Sequence, residues 1–163
     1  MDSMPRLTRT AAAALLAALV LGLSLAADLP ECMSAPDYVL AAPQSWWDDL
    51  DLLSRVVMGE ATGEPFTGQV AVAAVILNRT QSPEFPSTIA GVVYDIDAFE
   101  SVTNGLIWSR SPSDEEIRAA ELALNGWDPT GGALFFWNPS KPVSPWIWSR
   151  PIITQIGGHV FAY

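Results

Sequence analysis

The run Val70-Ala71-Val72-Ala73-Ala74-Val75-Ile76-Leu77 limits most what this chain can fold into. It is apolar at every position, and it is bounded by Gly68 and by Asn78, a plausible helix end. The spacing predicts a helix that starts at Thr67 or Gly68 and reaches about Asn78. A helix that is apolar on every side must be buried all round. Other elements therefore have to wrap it, within a chain of 163 residues that amounts to one domain.

The flanking segments supply those elements. Trp46 to Met58 reads as a helix, with Ser45 as cap and Asp48 and Asp49 in the first turn, where the macrodipole favours anions. Leu50, Leu53 and Val57 fall on one face, with Val56 beside them. Gly59, Gly63 and Pro65 end that helix. Pro83, Pro86 and the stretch to Asp97 read as loop. Ser113 caps a third helix over Asp114–Leu124, which Asn125-Gly126 terminates. The period then changes. Ala133–Trp137, Ile152–Ile156 and Val160–Ala162 read as strands, the last two joined by a turn at Gly157-Gly158-His159. Helices first and strands last give an α+β domain with a small antiparallel sheet against the helices.

The N-terminal segment reads as an address. Arg6 and Arg9 precede the small and apolar run Ala11–Ala27, and Ser24-Leu25-Ala26 is a small-x-small cleavage site. Residues 1–27 are thus expected to be an export signal. An uncleaved membrane anchor through residues 11–27 is the alternative, although a spanning helix wants about 20 residues. Residues 28–45, with Pro30, Pro36 and Pro43, read as a linker, and the folded domain is expected over 46–163. No internal repeat is visible, and a monomer is expected.

Composition removes several classes of function. Eight Lys+Arg stand against 18 Asp+Glu, for a net charge of −10. A dedicated nucleic-acid binder offers a basic patch, so none is expected here. Without residues 1–27 the balance is 17 acids to 6 bases, or −11. One Cys (Cys32) and one His (His159) exclude a Cys₄ or Cys₂His₂ zinc site and any intramolecular disulfide. No metal or cofactor is expected.

Two carboxylates stand out in Gly59-Glu60-Ala61-Thr62-Gly63-Glu64-Pro65. A carboxylic acid at the end of a helix, beside an apolar face, has its ionised form disfavoured by the surround and by the helix dipole. Such an acid suits proton donation to a glycosidic oxygen. The plain alternative is that Glu60 and Glu64 are solvated loop residues. Trp108, Trp127, Trp137, Trp146 and Trp148, with Phe135 and Phe136, cluster between residues 108 and 148. Amphipathic rings suit a groove for sugars or peptides, although about half should form a second small core. Asn104 and Asn138 offer amides to hydroxyl or N-acetyl groups. His159 falls in a predicted turn, where a solvated ring is the default.

Three ordered blocks carry a resemblance. The first runs from Leu53-Ser54-Arg55-Val56-Val57-Met58-Gly59-Glu60 through Pro65 and continues over Gly68–Arg79. The second is Gly126-Trp127-Asp128-Pro129-Thr130-Gly131-Gly132-Ala133-Leu134 with Asn138-Pro139. The third is Ile156-Gly157-Gly158-His159-Val160-Phe161. Together they resemble the SleB/CwlJ cell-wall hydrolases, which include spore cortex-lytic enzymes. The resemblance implies a lysozyme- and resuscitation-factor-like α+β domain that acts on peptidoglycan, with Glu60 as catalytic acid. Thr62 stands where that family usually has Arg, and Phe135-Phe136-Trp137 where tyrosines are common.

The expected activity is cleavage of the MurNAc–GlcNAc bond as a lytic transglycosylase, in spore cortex lysis or wall remodelling. Glu60 is the expected catalytic residue. Glu64, Asn104, Phe136, Trp137, Asn138, Trp148 and His159 are the expected substrate contacts. A hydrolytic muramidase would need a second carboxylate roughly 5–9.5 Å from the first, with Glu64, Asp95 and Asp97 as candidates. A non-catalytic wall-binding module is the third alternative. Export to the cell wall, periplasm or spore envelope follows from the N-terminal segment.

Overall fold

The computed structural model describes residues 38–163, with side chains from Ser45 onward. The export segment, Cys32 and most of the expected linker lie outside the described residues. Five α-helices and three strands are described: α1 Tyr38–Ala61, α2 Phe66–Gln81, α3 Ile89–Val93, α4 Glu100–Thr103, α5 Asp114–Leu124, β1 Phe135–Trp137, β2 Ile152–Ile156 and β3 His159–Ala162. Single 3₁₀ turns cover Leu106–Trp108 and Pro145–Ser149. Ala41–Tyr163 form one compact unit.

Helix α2 has the burial its composition demands. Every residue from Gly68 to Ile76 is buried, with Arg79 at its far end. Helix α5 packs along it, and α3, β1 and β2 also contact it. Leu53, Val56, Val57 and Ala61 of α1 join the same core, fully excluded from solvent, together with Ile107, Ala119, Ala120 and Phe161. Helix α5 keeps its expected limits because its cap is complete. The Ser113 hydroxyl accepts the Glu116 N–H, and the Glu116 carboxylate accepts the Ser113 N–H at 2.7 Å.

The sheet has the order β1-β3-β2, antiparallel throughout. Phe136 pairs with Phe161, Trp137 with Val160 and Ile156 with His159. The central strand β3 is therefore buried along its whole length. Phe135, Trp137, Ile147, Val160 and Ala162 form a second apolar cluster. The expectation of a second small core is met by Trp137, whereas Trp108, Trp127, Trp146 and Trp148 remain exposed.

Several boundaries differ from the sequence expectation. Helix α1 starts at Tyr38, so Ser45 is an interior position and Asp48 and Asp49 are not in a first turn. Leu40, Ala41 and Ala42 favour helix, and Pro43 costs it one N–H near its start. The linker therefore gives way to helix at residue 38. The stretch expected to be loop contains α3, capped by Thr88, whose hydroxyl accepts the Gly91 N–H. His159 is not in a turn. It opens β3 and is 7 % exposed. The turn is made by Gly157 and Gly158, with Gly157 at a φ of 58°.

No described helix is long and apolar enough to cross a membrane.

Candidate active site

Glu60 is the penultimate residue of α1, at the edge of a cleft of about 330 Å³. The preceding glycine decides what can approach it. A Cβ at Gly59 would fall onto Cβ and Oγ of Ser101. With glycine there, α4 packs directly on α1 and the Ser101 N–H reaches Glu60 Oε1 at 3.0 Å. A backbone donor thus holds one carboxylate oxygen from 41 residues away in sequence. Glu60 is half-buried rather than sealed in the core.

The cleft gathers residues from five parts of the chain. Six of the eight expected site residues line it: Glu60, Asn104, Phe136, Trp137, Asn138 and His159. The amide oxygen of Asn104 accepts the Leu106 N–H and that of Asn138 accepts the Ser140 N–H, each at 2.9 Å. These local turns orient both side chains. The His159 ring meets Phe136 edge-on at 5.4 Å. Burial lowers the His159 pKa from its usual value, against the pull of the Glu64 and Glu60 carboxylates, and Lys141 lowers it further. This environment favours the neutral ring.

Two expected site residues stand elsewhere. Glu64 does not line the cleft. Its Oε2 accepts the Gly158 N–H at 2.7 Å, and its Oε1 lies 3.5 Å from His159 Nδ1. That second separation is too long for a good hydrogen bond. Glu64 thus braces the β2–β3 turn behind His159. The brace needs the glycine pair, because a Cβ at Gly157 or Gly158 would run into the Glu64 carboxylate. Trp148 packs edge-on against Trp137 at 5.3 Å and leaves the lining to it. Asp95 and Asp97 open onto a neighbouring groove.

Glu100, Ser101, Lys141 and Arg79 also line the cleft, and sequence reasoning missed all four as site residues. Arg79 lay within a resembling block, which was its one signal. Its Nε donates to the Leu134 carbonyl at 2.7 Å, and its guanidinium lies 5.1 to 5.7 Å from the rings of Phe85, Phe99 and Phe135. Burial lowers its pKa to about 10, against the charge of Asp95. It still carries full charge at neutral pH.

Arg110 Nη2 donates to Thr62 Oγ1 at 3.3 Å and pairs with Glu116 at 2.6 Å. The Arg110 hydrogen bond, helped by Ser113, holds Glu116 down to a pKa of about 2 although burial opposes this.

Ser101 Oγ, Trp137 Nε1 and His159 Nδ1 are buried and have no hydrogen-bond partner in the protein. All three residues line the cleft. Buried polar groups are normally satisfied; Gln69 Oε1 and Arg150 Nε share this state away from the cleft. Among the described residues, no group of three His, Cys, Asp or Glu side chains is placed to hold a metal.

A profile of the cell wall hydrolase family matches residues 63–162. The chain belongs to that family. It is 52 % identical over 114 residues to the spore cortex-lytic enzyme of Oceanobacillus iheyensis, covering 70 % of this chain and 41 % of that protein. The fold is similar to the crystal structure of the catalytic domain of the Bacillus cereus SleB protein. The TM-score is 0.67 at 48 % identity, over 72 % of this chain and 91 % of that one. It is similar as well to the catalytic domain of the germination-specific lytic transglycosylase SleB from Bacillus anthracis. There the TM-score is 0.68 at 43 % identity, over 83 % of this chain and 100 % of that one. These likenesses establish the expected α+β family fold. The chain spans less than half the length of the spore cortex-lytic enzymes it matches.

Proposed function

We propose that the protein is a peptidoglycan-lytic enzyme that cleaves the MurNAc–GlcNAc bond as a lytic transglycosylase. The observation that carries this is the placement of Glu60. Its carboxyl stands at a cleft lined by aromatic rings and amides, and a backbone N–H holds one of its oxygens. Family membership and the named activity of the Bacillus anthracis relative support the same chemistry.

In the proposed step the Glu60 carboxyl donates its proton to the glycosidic oxygen as the bond from C1 of the muramyl sugar breaks. The C6 hydroxyl of that sugar then attacks C1, and its proton returns to the Glu60 carboxylate. A 1,6-anhydro sugar forms and no water is consumed. The Ser101 N–H fixes the position of Glu60 Oε1 in the cleft. Phe136 and Trp137 offer apolar faces, and Asn138 and His159 offer polar contacts. Hydrolysis would need a second carboxylate. Glu64 is engaged by Gly158, and Asp95 and Asp97 face another groove. Glu100 is the other carboxylate in the cleft lining.

Residues 1–27 direct export or anchor the chain, and the domain acts as a monomer on the wall or spore cortex. Mass spectrometry of fragments released from purified peptidoglycan tests the proposal. Anhydro-muramyl ends, one water lighter than reducing ends, are expected, and Glu60→Gln should release nothing while folding normally. Reducing ends, or normal lysis by Glu60→Gln, would overturn it.

A further inference from the structure

A second groove of about 310 Å³ runs beside the cleft, and Arg79, Ala98 and Phe136 line both. Its other walls include Phe135, Trp146, Asp95 and Asp97. We propose that this groove is a distal glycan-binding site, which takes sugars of the same strand beyond the bond at Glu60; this rests on the lytic function proposed above.

Four observations point to a neutral saccharide. The first is adjacency: Arg79, Ala98 and Phe136 form a wall common to the cleft and the groove. The second is the aromatic wall. Trp146 is 51 % exposed, although Phe135 meets it edge-on at 5.7 Å and Arg150 lies 5.2 Å from its ring. Its ring is thus held in place while half of it stays wet, which suits the apolar face of a pyranose. The third is the carboxylate pair. Asp95 and Asp97 are exposed acceptors suited to sugar hydroxyls, and they disfavour the acidic groups of a peptide stem. The fourth is backbone strain. Asp97 has a φ of 54°, a left-handed conformation uncommon outside glycine, of the kind that collects at ligand sites. The adjacent Ile96 is 89 % exposed, so this turn faces solvent.

The test uses the full chain carrying Glu60→Gln, so that bound strands are not cut. Its affinity is measured by calorimetry for chito-oligosaccharides of four and of eight N-acetylglucosamine units, neutral strands that lack the lactyl carboxylate a peptide-free muramyl sugar would expose. Trp146→Ala and Asp97→Asn are then introduced separately. Asn keeps the left-handed backbone and the size of Asp97, so that variant remains informative if Trp146→Ala disturbs folding. The expected result is that each weakens the eight-sugar strand about tenfold, the loss of one or two contacts, and leaves the four-sugar strand unchanged. Equal weakening of both lengths, or unchanged affinity for both, would overturn the proposal. So would a loss seen only with peptide-bearing strands, which would assign the groove to the stem. If the unsubstituted chain releases no fragments but the length-dependent loss persists, the lytic function fails and the groove stands. If fragments are released but the substitutions have no effect, the groove fails and the lytic function stands.

Discussion

Replacing Glu64 separates a structural brace from a second catalytic acid. The Glu64 carboxylate accepts the Gly158 N–H at 2.7 Å and is itself only 15 % exposed. A hydrogen bond to an ionised group contributes about 1.5–3 kcal/mol. Glu64→Ala removes that acceptor and leaves the Gly158 N–H without it, so the domain should lose about that amount. For a domain of this size each kcal/mol moves Tm by roughly 4 °C. The melting temperature, followed by circular dichroism, should therefore fall by about 6–12 °C. Glu64→Gln keeps an acceptor oxygen and loses only the charge assistance, so about 1 kcal/mol is expected. Lysis of purified walls by Glu64→Gln should stay within a few-fold of the parent, because His159 and the turn remain in place. A second catalytic carboxylate behaves in the opposite way: the amide would abolish turnover and spare stability. A Glu64→Gln chain with parental Tm and no lysis would refute the brace.

Three further predictions follow from the same geometry. Gly59→Ala pushes a methyl group onto Ser101, so stability should fall by about 1–3 kcal/mol in a denaturant titration, and lysis should fall with it as the Ser101 N–H leaves Glu60. His159 is the single histidine, and its folded pKa lies below the usual 6.5. The unfolded chain then binds the proton first as pH drops through 6.5, so stability attributable to His159 falls below that pH. Thermal melts between pH 7.5 and about 5 should slope less for His159→Gln than for the parent, and equal slopes would contradict this. Glu100→Gln should still yield anhydro-muramyl ends at a rate within a few-fold of the parent, and a complete loss of activity would make Glu100 a second catalytic acid.

Local signals account for most of the scaffold. The apolar period of Leu50, Leu53 and Val57, the unbroken run after Gly68 and the capping box at Ser113 each act within one or two turns of helix. A short window of sequence therefore reveals them. The same holds for the Gly157-Gly158 turn and for the Gly-Glu pair at the end of α1. Helices α3 and α4 were not legible. At five and four residues they have no stable existence of their own, and packing against the core decides them. Helix α1 was misjudged at its start because Ser45 is a plausible cap wherever it occurs.

Sequence alone determined that a helix would be wrapped on all sides, that a small antiparallel sheet would close the chain, and that Glu60 would stand where an apolar helix face ends. Only tertiary structure decided what Glu60 meets. The Ser101 N–H comes from 41 residues away, and the clasp that takes Glu64 out of the cleft spans 94. His159 became a buried cleft residue because β3 lies between β1 and β2. Periodicity and capping are short-range preferences of the backbone, whereas a site is built from contacts between segments whose separation leaves no trace in any local window.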